Sequence, residues 1–173
     1  ATPYIIEGYV ITTDSICISI VSTPVHFLIR DCEFTTGAGI DDQYALSISG
    51  VSYGCIDSSY IHDKTGGIFI ENSPEFSISN NTISDIDLSG LEIESSPDCT
   101  IVNNTFTNTG VIFLGNSGST WRHTVSNNIV NGKPLAYFYD IDGLEINGNA
   151  YGQVIIASCM NIHVSNLEIS NTV

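Results

Sequence analysis

The sequence predicts an all-β protein built as a parallel β-helix of about seven to eight coils, each of roughly 22 residues. Apolar and polar residues alternate in short runs such as "GIFIEN" and "GLEIES", which is the pattern of half-buried strands. A six-residue pattern also recurs along the chain. Helix signals are nearly absent, and we expect residues 1–173 to form one domain with its own core.

The recurring unit is a hexapeptide whose first and last residues are apolar. Successive copies begin 18 to 27 residues apart. They are "IRDCEF" (29–34), "IDSSYI" (56–61), "ISNNTI" (78–83), "IVNNTF" (101–106), "VSNNIV" (125–130), "INGNAY" (146–151) and "VSNLEI" (164–169). Each copy is expected to belong to one coil, so that equivalent side chains stack in columns inside the tube.

Three inward columns follow from this alignment. The first block residues are Ile29, Ile56, Ile78, Ile101, Val125, Ile146 and Val164. The sixth are Phe34, Ile61, Ile83, Phe106, Val130, Tyr151 and Ile169. The apolar strand centres that precede the blocks are Ile20, Ile48, Ile70, Ile93, Leu114, Phe138 and Ile156.

The third block residue predicts a structural asparagine ladder. Its column is Asp31, Ser58, Asn80, Asn103, Asn127, Gly148 and Asn166. Asparagine tolerates the left-handed backbone of a turn and offers both a donor and an acceptor, so we expect Asn80, Asn103, Asn127 and Asn166 to point into the tube. A second turn column is small: Ser73, Ser96, Ser117 and Cys159. Asn80 and Asn103 also begin Asn-X-Thr sequons, and burial there predicts that neither carries a glycan.

Three segments are longer than the regular coil requires: 35–43, 114–123 and 131–143. In solenoids such insertions leave the tube on one face and commonly form its binding surface.

The charge balance excludes several classes of partner. The chain has 19 acidic and 4 basic residues, a net charge of −15, which disfavours nucleic acids and anionic membrane surfaces. No apolar run approaches 18 residues, so we expect no membrane insertion. The five cysteines form no CxxC motif and are expected to be small buried residues, and no cofactor is expected apart from a possible Ca²⁺ ion.

Two parts of the chain resemble a known superfamily. They are "NNIVNGKPLAYFYDIDGLEINGNAYGQVIIASCMNIHVSNLEISNT" (127–172) and the opening segments "PYIIEGYVIT" (3–12) and "HFLIRDCEF" (26–34). The chain resembles the NosD-like, carbohydrate-binding and sugar-hydrolase (CASH) superfamily, as found in archaeal cell-surface proteins. This resemblance implies a right-handed β-helix and an extracellular or cell-surface location. Further coils usually follow "LEISNT" in such proteins, which implies either a fragment of a longer solenoid or a short member.

Aromatic residues in the insertions are candidates for carbohydrate binding, because their rings can stack on sugars. They are Trp121, Tyr137 and Tyr139, with Asp140 and Asp142 as hydrogen-bond acceptors. Alternation in "YFYDID" would turn Tyr137 and Tyr139 to one face and Phe138 inward. The alternative is that these rings cover the tube's exterior or seal one end.

A second candidate site is a weak Ca²⁺ site. Asp63, Asp85 and Asn108 share one register position, so their side chains should stack at roughly 4.8 Å intervals. The alternative is a solvated acidic ladder without a metal.

No catalytic residues are predicted. Sugar-cleaving sites need flanking carboxylates or a basic residue beside a metal, whereas the only adjacent carboxylates, Asp41 and Asp42, lie in a loop. We therefore expect a non-catalytic extracellular or cell-surface module, structural or carbohydrate-binding. Because no capping helix is evident, copies of the chain could also stack end to end into filaments. The alternative is a polysaccharide lyase or hydrolase whose site is incomplete in this chain.

Overall fold

A computed structural model describes residues 2–39, 43–116 and 118–172, which form short strands connected by tight turns. The strands of the first coils are β1 (Tyr4–Glu7), β2 (Val10–Thr12), β3 (Ile18–Val21), β4 (Phe27–Arg30), β5 (Glu33–Thr35), β6 (Tyr44–Ser49), β7 (Cys55–Asp57) and β8 (Tyr60–Lys64). Those of the middle coils are β9 (Gly66–Glu71), β10 (Ser77–Ser79), β11 (Thr82–Ile86), β12 (Leu91–Glu94), β13 (Thr100–Val102), β14 (Thr105–Thr107) and β15 (Val111–Leu114). A 3-10 helix (Gly118–Trp121) precedes β16 (Thr124–Ser126), β17 (Ile129–Val130), β18 (Lys133–Tyr139), β19 (Glu145–Asn147), β20 (Gln153–Ala157) and β21 (His163–Ser165).

Three sheets run along the solenoid. The first sheet has the order β1-β4-β7-β10-β13-β16, and the third has the order β15-β12-β9-β6-β3. The second begins β2-β5-β8-β11-β14-β17. Strands up to β17 pair in parallel with their equivalents in the next coil, which confirms the all-β parallel solenoid. The regular stack makes about five turns, fewer than the seven to eight predicted.

The predicted core columns are confirmed in the regular part of the stack. Ile29, Ile56, Ile78, Ile101 and Val125 are successive register partners, and so are Phe34, Ile61, Ile83, Phe106 and Val130. Nearly all of these side chains are fully buried. The third column is wrong beyond Ile93, because Ile93 pairs with Phe113 while Leu114 is exposed, and Phe138 and Ile156 pair with each other outside this sheet, with Ile156 exposed. Pairing of Gly90 with Gly110 sets this register and turns Leu114 outward.

The asparagine ladder inside the tube lies one residue later than predicted. Asn81, Asn104 and Asn128 are buried. The Asn104 side-chain oxygen accepts hydrogen bonds from the Asn81 backbone and side-chain nitrogens, both at 3.0 Å. Asn128 accepts equivalent bonds from Asn104 at 2.9 and 3.0 Å. The inner ladder, as we call Asn81, Asn104 and Asn128, therefore supplies partners for backbone groups at the turn.

The predicted ladder residues themselves lie on the outside. Asn80, Asn103, Asn127 and Asn166 are exposed, so their predicted burial is wrong. Their left-handed backbone is confirmed, with φ between 52° and 58°. A left-handed residue interrupts the in–out alternation, so the third block residue points outward and the fourth points inward.

In the small turn column Ser73 and Ser96 are buried, and the Ser96 hydroxyl accepts a hydrogen bond from the Ser73 backbone nitrogen at 2.8 Å. Ser117, which belongs to the same predicted column, lies outside the described residues.

The regular stacking ends at a hairpin. Asn131 and Gly132 have φ of 50° and 77°, the conformation that a two-residue hairpin favours, and β18 runs antiparallel to β17. Beyond this point β18 pairs with β20 and β19 with β21. Ile146 and Val164 are therefore partners of each other and do not extend the Val125 column, and Tyr151 and Ile169 do not extend the Val130 column.

Residues 133–172 cover the end of the regular stack. Leu135 and Ile155 pack against the core of the tube. The side-chain amide of Gln153 accepts from the Val111 nitrogen at 3.0 Å and donates to the Val111 oxygen at 2.8 Å. It thereby takes the place that a further strand would occupy beside β15.

Candidate functional site

A groove lies at the corner between the first and second sheets. It encloses about 390 Å³ and crosses four successive coils. We call it the corner groove, and it is lined by Gly8, Tyr9, Val10, Asp31, Cys32, Glu33, Ser58, Ser59, Tyr60, Asn80 and Thr82. The left-handed residues Asp31, Ser58 and Asn80 make the corner, since each turns the chain from the first sheet into the second.

Two exposed tyrosines flank the corner groove. Tyr9 is 59% exposed and Tyr60 is 40% exposed. Tyr60 and His62 point outward because Ile61, between them on β8, is buried in the core. Their rings stack with centroids 4.2 Å apart and planes inclined by 20°. The stack holds the Tyr60 ring in place, as a platform for a planar or sugar-like ligand requires.

His62 lies between two carboxylates. Its Nε2 is 3.2 Å from Glu33 Oε1, and its Nδ1 is 2.7 Å from Asp63 Oδ2. Burial alone would lower the pKa of His62, but hydrogen bonds to Asp63 and Glu33 outweigh it, so the pKa is raised. This arrangement fixes the ring that supports Tyr60 and engages the Glu33 carboxylate.

Hydrogen-bonding groups recur along the groove at the spacing of the coils. Asp31, Ser58 and Asn80 follow one another on successive coils, about 4.8 Å apart. Asp57 Oδ1 accepts hydrogen bonds from Asn80 and Ser79, both at 2.7 Å. Burial would raise the pKa of Asp57, but these bonds outweigh it and lower the pKa. The groove thus offers a linear series of polar groups beside its aromatic rings.

The described lining of the corner groove contains no lysine or arginine. Arg30 binds Glu7 at 2.7 Å, and Arg122 binds Asp98 at 2.6 Å. Lys64 is buried, and its ammonium group donates to the carbonyl oxygens of Thr13 and Ser15, both at 3.0 Å. The groove is therefore acidic and polar, which suits a neutral or cationic ligand better than an anionic one.

Comparison with known proteins agrees with this architecture. The family described as "Right handed beta helix region" matches residues 6–169. The chain belongs to this right-handed β-helix family. No curated protein and no solved structure matches the chain. The handedness expected from the sequence is thereby supported by the family.

In this β-helix protein, the aromatic residues predicted to bind carbohydrate lie near the covered end. Trp121 lines a pocket of about 360 Å³ with Phe113 and Ile155. The Tyr137 hydroxyl donates to the Trp121 carbonyl oxygen, and the Tyr137 ring packs edge-on against Phe113, 5.3 Å between centroids. Burial raises the pKa of Tyr137 to about 12.

The other predicted carbohydrate-binding residues are not all gathered there. Tyr137 contacts Phe113, which packs against the core, whereas Phe138 packs edge-on against Tyr151. Both rings are half-buried, so the expected separation into an inward Phe138 and an outward Tyr137 is not seen. Tyr139 is half-buried, while Asp140 and Asp142 are exposed. Asp142 accepts a hydrogen bond from Asn161 at 2.7 Å. Carbohydrate binding at these residues stays a prediction.

The β-helix places the predicted Ca²⁺ residues in one exposed column. Asp63, Asp85 and Asn108 have φ between 53° and 55°. Asn108 follows Asp85 in this ladder and donates to Asp85 Oδ1 at 2.7 Å, whereas Asp63 and Asp85 are direct neighbours on adjacent coils. Within the described ranges, no three His, Cys, Asp or Glu side chains are grouped to hold a metal ion. Calcium binding stays a prediction, and Asp41 and Asp42 lie outside the described residues.

The sequence reasoning missed Tyr9, Glu33, Tyr60 and His62. One available signal was the alternation in "YIH", which places Tyr60 and His62 on one outer face around the inward Ile61. The groove itself depends on the corner made by the left-handed residues, which becomes visible only once the coils are stacked.

Proposed function

We propose that this β-helix protein is a non-catalytic extracellular or cell-surface module that binds an extended, neutral polysaccharide along the corner groove. The observation that carries the proposal is the pair of exposed tyrosine rings, Tyr9 and Tyr60, beside polar groups repeated on successive coils. The coil spacing of about 4.8 Å is close to the length of one pyranose residue in an extended chain. The resemblance to the NosD-like and CASH proteins supports the same class of ligand.

Charge favours a neutral polymer over a uronate. Asp31 and Glu33 line the groove, and its described lining has no basic side chain to bind a carboxylate. A polyuronate would therefore meet a like charge in addition to the net charge of −15. The two carboxylates beside His62, those of Glu33 and Asp63, are both engaged with its ring nitrogens, at 3.2 and 2.7 Å. Binding without cleavage is the function that this arrangement supports best.

The experiment compares binding of soluble β-glucan, xylan, mannan and polygalacturonate by affinity electrophoresis and calorimetry. We expect binding of a neutral polymer, and we expect Tyr60→Ala to weaken it about tenfold by removing the supported ring. Tyr4→Ala is the matched control, because Tyr4 is 69% exposed and lies outside the groove. Equal loss in both variants, or preference for polygalacturonate, would contradict the proposal.

The alternative activity is tested in the same samples. A polysaccharide lyase would generate unsaturated products that absorb in the ultraviolet, and a hydrolase would release new reducing ends. We expect neither from any of the four polymers. Release of products by the wild-type chain would show that the protein is an enzyme and would contradict the proposed binding module.

End-to-end assembly depends on the covered end of the stack. Gln153 occupies the backbone groups of Val111, so a second copy could pair with β15 only after displacing it. For this reason we propose that the chain binds polysaccharide without assembling into filaments. Sedimentation at increasing concentration, with negative-stain images, tests for them directly.

A further inference from the structure

The two "NNT" triplets present accessible amides on the outer corner of the tube. In each triplet the first asparagine, Asn80 or Asn103, is exposed, and the second belongs to the buried inner ladder. The threonines of the triplets, Thr82 and Thr105, are exposed as well. Both elements of an N-glycosylation sequon, the acceptor amide and the hydroxyl two residues later, therefore lie on the surface of the folded chain.

The two acceptor amides are not equivalent. Asn80 Nδ2 donates to the Asp57 carboxylate at 2.7 Å, a short charge-assisted hydrogen bond. Asn103 Nδ2 donates to the Asn80 side-chain oxygen at 3.3 Å, a long bond between neutral groups. Replacing a hydrogen on the amide nitrogen of Asn103 therefore disturbs less than the same change at Asn80.

The spacing of the coils also limits how many glycans fit. Asn80 and Asn103 follow Ser79 and Val102, which are register partners on neighbouring strands. Their turns are thus one coil apart, about 4.8 Å, which is close to the thickness of a single sugar ring. Two glycans on adjacent coils would have to begin in contact with each other.

We propose that Asn103 is an N-glycosylation site and that Asn80 remains unmodified in the folded protein. In the transfer, Asn103 Nδ2 attacks the anomeric carbon of an oligosaccharide carried on a polyprenyl phosphate or pyrophosphate. The bond from that carbon to the phosphate oxygen breaks, and the lipid phosphate leaves with the electron pair. One proton leaves the amide nitrogen as the carbon–nitrogen bond forms.

The test is secretion of the chain from a host whose oligosaccharyltransferase acts on Asn-X-Thr. Intact-mass measurement of the folded, secreted protein should show one glycan per chain, and glycopeptide mapping should locate it at Asn103. Thr105→Ala should abolish the glycan, whereas Thr82→Ala, the matched change one coil away, should retain it. Thr105→Ser should keep both the glycan and the fold.

Three results would overturn the proposal: an unmodified secreted chain, a glycan at Asn80, or glycans at both positions. Mapping of the wild-type protein gives the answer even if a threonine variant fails to fold. Circular dichroism of each secreted variant separates loss of the sequon from loss of structure. The outcome is independent of polysaccharide binding, because no step of the measurement requires the corner groove to be occupied.

Discussion

Replacing Asn104 with alanine tests the inner ladder. The Asn104 side-chain oxygen is the acceptor for the Asn81 backbone nitrogen, and its amide nitrogen donates to the Ile78 oxygen at 2.9 Å. Asn104→Ala leaves the buried Asn81 N–H without a partner, at a cost of about 1–3 kcal/mol, and each further lost bond adds about 1 kcal/mol. We therefore expect a loss of about 3–5 kcal/mol in the free energy of unfolding.

Asn103→Ala is the matched control, since it makes the same change one residue earlier. Asn103 is exposed and has a left-handed backbone with φ of 58°, so alanine there costs about 1 kcal/mol. Urea unfolding followed by circular dichroism and by Trp121 fluorescence measures both variants. With a slope of about 2 kcal/mol per M, Asn104→Ala should lower the midpoint by about 2 M, and the control by about 0.5 M.

The comparison has a clear contrary result. If Asn103→Ala destabilises the chain as much as Asn104→Ala, the inner ladder stabilises the turn no more than the exposed asparagines do. If the two optical probes give different midpoints for Asn104→Ala, unfolding is not two-state and the free energies cannot be compared. A lower midpoint with an unchanged slope is the result that supports the ladder.

Two further predictions concern the covered end. Burial lowers the pKa of His123 from 6.5 to about 4. As the pH falls from 6.5 to 4, the unfolded chain therefore takes up a proton that the folded chain excludes. The free energy of unfolding should fall by up to about 3 kcal/mol over that range. His123→Phe should remove that part of the decline, which urea midpoints at pH 7 and pH 4.5 would measure; identical declines in both proteins would refute it. Gln153→Leu should leave the nitrogen and oxygen of Val111 unpaired, costing about 2–4 kcal/mol. Hydrogen exchange at the Val111 amide should accelerate, and unchanged protection there would show that the Gln153 amide does not replace a strand.

The fold could be predicted because the interior repeats. Ile78 and Ile101 occupy the same position in two hexapeptides, and stacking them buries both without any further assumption. The error in the asparagine ladder also has a physical origin. Ile78 and Ile83 are both buried although they are five positions apart, an odd number, so the strict alternation must slip once between them. The sequence shows that a slip occurs, but in "SNNT" either asparagine could be the left-handed residue.

The covered end could not be predicted from the repeat, because local turn chemistry overrides it there. The hexapeptides 146–151 and 164–169 fit the pattern, yet the Asn131–Gly132 hairpin reverses the chain before they are reached. The hairpin signal in "NG" was present in the sequence. Its consequence depends on tertiary contacts of Gln153 and Leu135 with the regular stack, which no local pattern specifies.

Differences among the coils are therefore concentrated on the outside, and they point to the early coils. Outward positions on the second sheet that carry Thr82 and Thr105 in later coils carry Glu33 and Tyr60 in earlier ones. The inward residues of the same strands are all buried hydrophobic side chains: Phe34, Ile61, Ile83 and Phe106. Each inward residue must be an apolar side chain that packs on its equivalent in the next coil. The outer face is therefore where a coil can differ without loss of stability. A ligand that binds one coil in preference to another must contact that outer face. Tyr60 and Glu33 differ most from the threonines of the later coils, and both line the corner groove.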